Sequence, residues 1–78
     1  MRLMLNKKAS GTRIALAIKQ SGFTCAQIAE KMGTSRATVR RWIKGEYTPS
    51  VDNLLYLADL TEVPVGYLLP VIRGIPNE

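Results

Sequence analysis

Residues 25–45, CAQIAEKMGTSRATVRRWIKG, decide how the rest of the chain is read. They hold two short helical periods separated by Gly33. Thr24 serves as an N-cap, and Gln27 three residues on completes a capping box. Ile28, Ala29 and Met32 then share the inner face of a helix from about Cys25 to Met32. Phe23 before the cap and Ile28 inside the helix are spaced as a hydrophobic staple. Only Thr34 and Ser35 separate Gly33 from the next period. Ser35 caps a third helix whose buried face is Val39, Trp42 and Ile43 and which stops at Gly45. The turn needs a residue that accepts positive φ, which glycine does without a Cβ clash. Ala29, four residues before Gly33, lets the helices cross closely, and Val39, six after it, plugs the gap between them. This combined pattern is that of a helix-turn-helix. The alternative is a plain helical hairpin in a small bundle.

The third helix separates the two. With Val39, Trp42 and Ile43 turned inward, its outer face carries Arg36, Ala37, Arg40, Arg41 and Lys44. Arg36, Arg40 and Lys44 stand at i, i+4 and i+8 with no acid beside them, a spacing at which like charges are mildly destabilising. A helix that needed only to be soluble would intersperse glutamate. A helix of this width fits the DNA major groove, where arginine reads guanine through O6 and N7. The methyl of Ala37 meets a thymine methyl there or simply permits close approach. The plainer alternative is a solvated run of charge.

Working outward, Ile14, Ala17, Ile18 and Ser21 form one face of a first helix from about Thr12 to Gly22. Residues 1–10 show no period, carry Arg2, Lys7 and Lys8, and read as a loose basic arm. Downstream, Gly45 to Pro49 is a loop. Ser50 caps a fourth helix with Leu54, Leu57 and Ala58 inward, and Leu55 and Thr61 as further inward candidates. Val65 to Leu69 forms a short fifth helix weakened by Gly66. Residues 70–78, with two prolines and a glycine, read as an extended tail. No stretch alternates as a strand would, so the expected fold is all-α: five helices in one domain over residues 11–69.

Composition removes other classes of function. The chain has 78 residues, one cysteine and no histidine. An intramolecular disulfide, a zinc site and a Ser-His or Cys-His nucleophile pair are therefore excluded. No apolar run approaches the roughly 20 residues of a membrane span, and residues 1–10 are too short and polar for a secretory signal. A cytoplasmic, nucleoid-associated protein with no cofactor, no metal and no catalysis is expected. The net charge is +5, and its distribution is uneven. Residues 1–44 hold ten Lys or Arg against the single acid Glu30, whereas residues 45–78 hold only Arg73 against five acids. Nucleic acid and anionic membrane are the usual partners of such a one-sided field.

Residues 25–45 resemble the helix-turn-helix of the lambda Cro and cI repressor family, also called XRE-like. The likeness continues through GEYTPSVDNLLYLADLTEVPVGYLL, residues 45–69, and back to Thr12. It implies a compact five-helix lambda-repressor-like domain that binds double-stranded operator DNA, usually as a homodimer on a near-palindromic site. It implies base-facing positions at Ser35, Arg36, Ala37, Arg40 and Arg41, and phosphate contacts at Thr24, Cys25 and Lys44, with Thr12 and Arg13 as further candidates. The chain departs from the family at several positions. Cys25 replaces a glutamine that contacts phosphate, a role that Gln27 is placed to supply. Ile18 and Ile43 replace an arginine–glutamate pair, an exchange that is often neutral or stabilising, and they are expected to touch. Leu60 and Thr61 shift the register of the fourth helix, and Pro64 replaces a serine cap.

The expected function is that of a small sequence-specific transcriptional regulator, a Cro-like repressor above all. The competing expectation is an antitoxin-type interaction module that neutralises a toxin and binds its own operator, its acidic later half facing a basic partner. Val65, Tyr67, Leu68, Leu69, Val71, Ile72 and Ile75 hold more apolar area than a loose tail should expose. Val71, Ile72 and Ile75 are the expected dimer contact, as packed coil or as a short added strand, including a dimer that forms only on DNA. Folding back on their own domain is the alternative.

Overall fold

Asn6 caps the first helix, which begins at Lys7, five residues before the Thr12 that its apolar period suggests. The computed structural model describes residues 3–69 and 71–73. Asn6 sits in extended backbone and its side-chain oxygen accepts the Ala9 amide at 3.1 Å, capping α1, Lys7–Ser21. The other helices are α2, Cys25–Met32; α3, Arg36–Lys44; and α4, Val51–Thr61. Thr24 and Gln27 form the full capping box: the threonine hydroxyl accepts the Gln27 amide at 3.1 Å, and the glutamine carbonyl accepts the Thr24 amide at 2.9 Å. Ser35 and Ser50 cap α3 and α4. Gly33 closes α2 at φ 68°, in the left-handed region, and its N–H meets the Ala29 and Glu30 carbonyls.

The core lies where the four helices meet. Ile14, Ile28, Val39, Leu57 and Leu68 are fully buried, and Trp42 is 4% exposed among Ala17, Ile18, Ala29, Leu54 and Ala58. Each large apolar side chain contributes about 1.5–3 kcal/mol by leaving water. Thr61 is also buried and returns its hydroxyl to the Leu57 carbonyl at 2.7 Å, whereas Leu55 points to solvent. Ile18 belongs to the core and Ile43 packs half-buried against the same cluster.

Gly11 explains how closely α1 packs on α3. A Cβ at this position would overlap the Ile43 carbonyl oxygen and stand 2.7 Å from that of Trp42. The missing side chain is what lets α1 lie directly on the last turn of α3. Ser10 and Arg13, on the same helix, hold the chain beyond α4. The Ser10 hydroxyl donates to the Leu68 carbonyl at 2.5 Å, and the Arg13 guanidinium donates to the Tyr67 carbonyl at 3.2 Å.

Three sequence expectations need correction. The segment before residue 11 is not a loose arm over its described part. Leu3–Leu5 forms strand β1 and Lys7–Ser10 belongs to α1. The fifth helix is a four-residue 3-10 turn, Val65–Leu68, because Pro64 offers no side-chain cap and Gly66 lies inside it. The helical domain also carries a two-stranded antiparallel ribbon, in which β1 pairs with β2, Val71–Arg73, in the register Leu3 to Arg73 and Leu5 to Val71. The backbone of residues 71–73 thus folds back on its own chain. Ile75 lies outside the described residues.

Candidate nucleic-acid interface

The helix-turn-helix turns the outer face of α3 to solvent and exposes the start of α2 as well. Val39 and Trp42 anchor α3 to the core, and this fixes what faces outward. Ser35, Arg36, Ala37, Arg40, Arg41 and Lys44 are all exposed, as their phase on the helix predicts. Ser35 also does structural work: its hydroxyl accepts the Thr38 amide at 3.1 Å and lies 3.0 Å from the Thr38 hydroxyl. The inner face thereby holds a row of cations in water on a helix that contains no acid.

The expected phosphate-binding residues divide into two groups. Thr24, Cys25 and Gln27 come together at the open end of α2, where the amides of the first helical residues point outward and favour an anion. The capping box uses the Gln27 carbonyl, leaving its amide NH2 as a donor. Cys25 is half-buried against the core. Lys44 is exposed at the far end of α3. Thr12 is exposed, with its hydroxyl turned to the Lys8 carbonyl at 3.1 Å. Arg13 is engaged elsewhere. Its guanidinium lies 5.2 Å from the centroid of the Tyr67 ring and bonds the Tyr67 carbonyl, so its first role is to hold α1 to the 3-10 turn.

Three residues near this surface are not placed at it by the sequence, which leaves Lys7 and Lys8 in the basic arm. Lys7 and Lys8 start α1 beside the turn that ends α3: a Cβ on Gly45 would stand 3.0 Å from the Lys8 Cα. Their side chains are exposed, which extends the basic surface past Lys44. Neither lysine shows a period, and only the hidden helix start would have placed them. The third is Tyr47, 57% exposed, whose ring lies under Arg41. An aromatic residue in a polar loop was its only signal. Among the described residues, no group of His, Cys, Asp and Glu is arranged to hold a metal ion, and no helix is long and apolar enough to cross a membrane.

Residues 14–68 match the family model described as helix-turn-helix. The chain belongs to the helix-turn-helix family of Cro/cI (XRE) type. This is a family of DNA-binding transcriptional regulators. An uncharacterized helix-turn-helix-type transcriptional regulator of Haemophilus influenzae is 40% identical over 43 residues, which are 55% of this chain and 18% of that protein. The chain therefore corresponds to less than a fifth of that relative's length. Among solved structures, the c2 repressor of P22, in complex with a synthetic operator, superposes with a TM-score of 0.71 at 28% identity, covering 77% of this chain and 91% of that one. The DNA-binding domain of BldD from S. venezulae gives 0.69 at 29% identity, over 82% and 96%. The restriction-modification controller protein C.AhdI of Aeromonas hydrophila shares the fold, with a TM-score of 0.73 at 22% identity over 81% and 96%.

Proposed function

We propose that this helix-turn-helix domain is a sequence-specific regulator that docks α3 in the major groove of duplex operator DNA, without catalysis of its own and in the cytoplasm. The observation that carries this reading is the exposed, acid-free row of Arg36, Arg40, Arg41 and Lys44 on a helix whose opposite face is core. Ser35, Arg36, Ala37, Arg40 and Arg41 meet base edges. Thr24, Cys25, Gln27, Thr12 and Lys44, joined by Lys7 and Lys8, meet phosphates at the two ends of the contact. Arg13 reaches DNA only by leaving Tyr67. Binding then has two parts. Phosphate neutralisation gives a salt-dependent affinity for any sequence, and each good bidentate base contact adds about 1–3 kcal/mol of discrimination.

Selection of bound duplexes from a random pool tests this. Arg36→Ala is expected to relax preference at particular base pairs. Lys44→Ala is expected to weaken all sequences alike and to lower the salt slope by about 1. Equal weakening of every sequence by both changes would refute the base-reading assignment.

One α3 reads about four or five base pairs, so we extend the proposal to a two-fold dimer with recognition helices about 34 Å apart. Because β2 pairs with β1 of the same chain, a second copy joins at an outer edge of this ribbon, which among the described residues has two strands. The stoichiometry on a palindromic site, with and without residues 70–78, decides the matter. Tight one-to-one binding to a half-site, unchanged by truncation, contradicts the dimer.

A further inference from the structure

The turn after α3 places an aromatic ring against one of the proposed base-reading arginines. Gly45 turns the chain back at φ 78°. The amides of Glu46 and Tyr47 then both donate to one acceptor, the Arg41 carbonyl oxygen, at 3.0 and 3.4 Å. This fixes the Tyr47 backbone beside the residue that its side chain meets: the Arg41 guanidinium carbon stands 5.7 Å from the ring centroid. At 57% exposure the ring adds little to the core. Among the described residues, Arg41 is the one cation of α3 held in this way.

We propose that Tyr47 is a positioning residue for sequence recognition, its ring orienting the Arg41 guanidinium for a base edge. This rests on the reading of α3 as the base-reading helix. The face of an aromatic ring attracts a cation, and a guanidinium can stack its own plane on that face. The five N–H donors point outward in that plane and stay available. Contact with Tyr47 therefore narrows the conformations of a long side chain before DNA arrives, and leaves its hydrogen-bonding fork free for guanine O6 and N7. The phenol hydroxyl has no part in this, and neither does the stability of the domain.

Random-duplex selection with the full chain, together with melting curves, tests the proposal on wild type, Arg41→Ala, Tyr47→Phe, Tyr47→Ala, Tyr47→Leu and the Arg41→Ala/Tyr47→Ala double variant. Arg41→Ala is expected to remove preference at one base pair of each half-site. Tyr47→Ala and Tyr47→Leu are expected to melt close to wild type and to lower preference at that same base pair by about two- to five-fold, leaving other positions unchanged. Tyr47→Phe is expected to match wild type, and the double variant to match Arg41→Ala. A wild-type profile for both ringless variants overturns the positioning role alone, as does a loss that adds to that of Arg41→Ala. Uniform weakening of all sequences, shared by Tyr47→Phe, identifies a hydroxyl contact to phosphate instead and overturns it too. Wild-type protein without preference at any base pair removes the base-reading function itself, and this inference with it.

Discussion

Helices α3 and α4 start alike. Ser35 and Ser50 each sit in extended backbone and accept the amide of the third helical residue, at 3.1 and 3.2 Å. Both helices turn apolar residues inward, Val39 and Trp42 in one, Leu54 and Leu57 in the other. Both end on a residue in the left-handed region. They part company on the outside. The first turn of α4 holds Asp52, which suits the positive end of a helix, whereas that of α3 holds no acid and begins with Arg36. Outer positions of α4 mix Val51, Leu55 and Tyr56 with acids, while those of α3 are nearly all cations. The inner faces and caps of the two helices serve the fold. On α3, the acid-free start and the row of Arg36, Arg40 and Lys44 run against the stability of the helix, as expected of a surface selected for an anionic partner.

Substitutions on the two faces test this division. The largest effect is expected from the inner face: Trp42→Ala should lower stability by about 3–5 kcal/mol, against less than about 0.5 for Arg40→Ala on the outside. Chemical denaturation measures both, and similar midpoints for the two variants would erase the division of faces. Next comes the contact that seats α1 on α3. Glycine to alanine inside a helix ordinarily stabilises by about 1 kcal/mol, yet Gly11→Ala should destabilise by about 1–3 kcal/mol, because its Cβ meets backbone that cannot step aside. A stabilised variant would show that the two helices slide apart easily.

The smaller effects lie at the helix ends. α3 stops on Gly45, but α4 stops on Glu62 at φ 59°. Glu62→Gly should raise stability by about 1 kcal/mol by relieving the Cβ in that conformation, an upward shift readable in a thermal melt. Smaller than the effect at Glu62 is that of Arg36→Glu. Placing an acid at the start of α3 should stabilise by about 0.5 kcal/mol while abolishing sequence-selective binding in a gel shift. Loss of both stability and binding would mean that Arg36 supports the fold.

The helix-turn-helix itself was legible because its signals are local. Thr24, Gln27, Gly33, Ser35 and Gly45 act within one helical turn of where they stand, and the boundaries of α2 and α3 follow from them. Exposure of the proposed base-reading positions followed as well, since burying Val39 and Trp42 sets the phase of α3. What stayed hidden depends on distant partners. The role of Gly11 shows only when the carbonyls of Trp42 and Ile43 are brought against it. Arg13 looks like one more surface cation until Tyr67 arrives. Strands of three residues are too short to show an alternating pattern, so β1 and β2 become visible only when paired.

That ribbon has a consequence for the order in which the molecule is made. Leu3 and Arg73 are nearly the whole described chain apart, yet they lie opposite each other. Contacts between near neighbours, such as those across Gly33, close small loops and form early, whereas pairings of such wide separation must wait for a large loop to close. During synthesis β1 leaves the ribosome well before β2 exists. The helices bring the two strands together as they pack around Leu57 and Leu68. Amides of the ribbon should therefore gain protection last in refolding and surrender it first in hydrogen exchange, so that the strand made first is the last to find its partner.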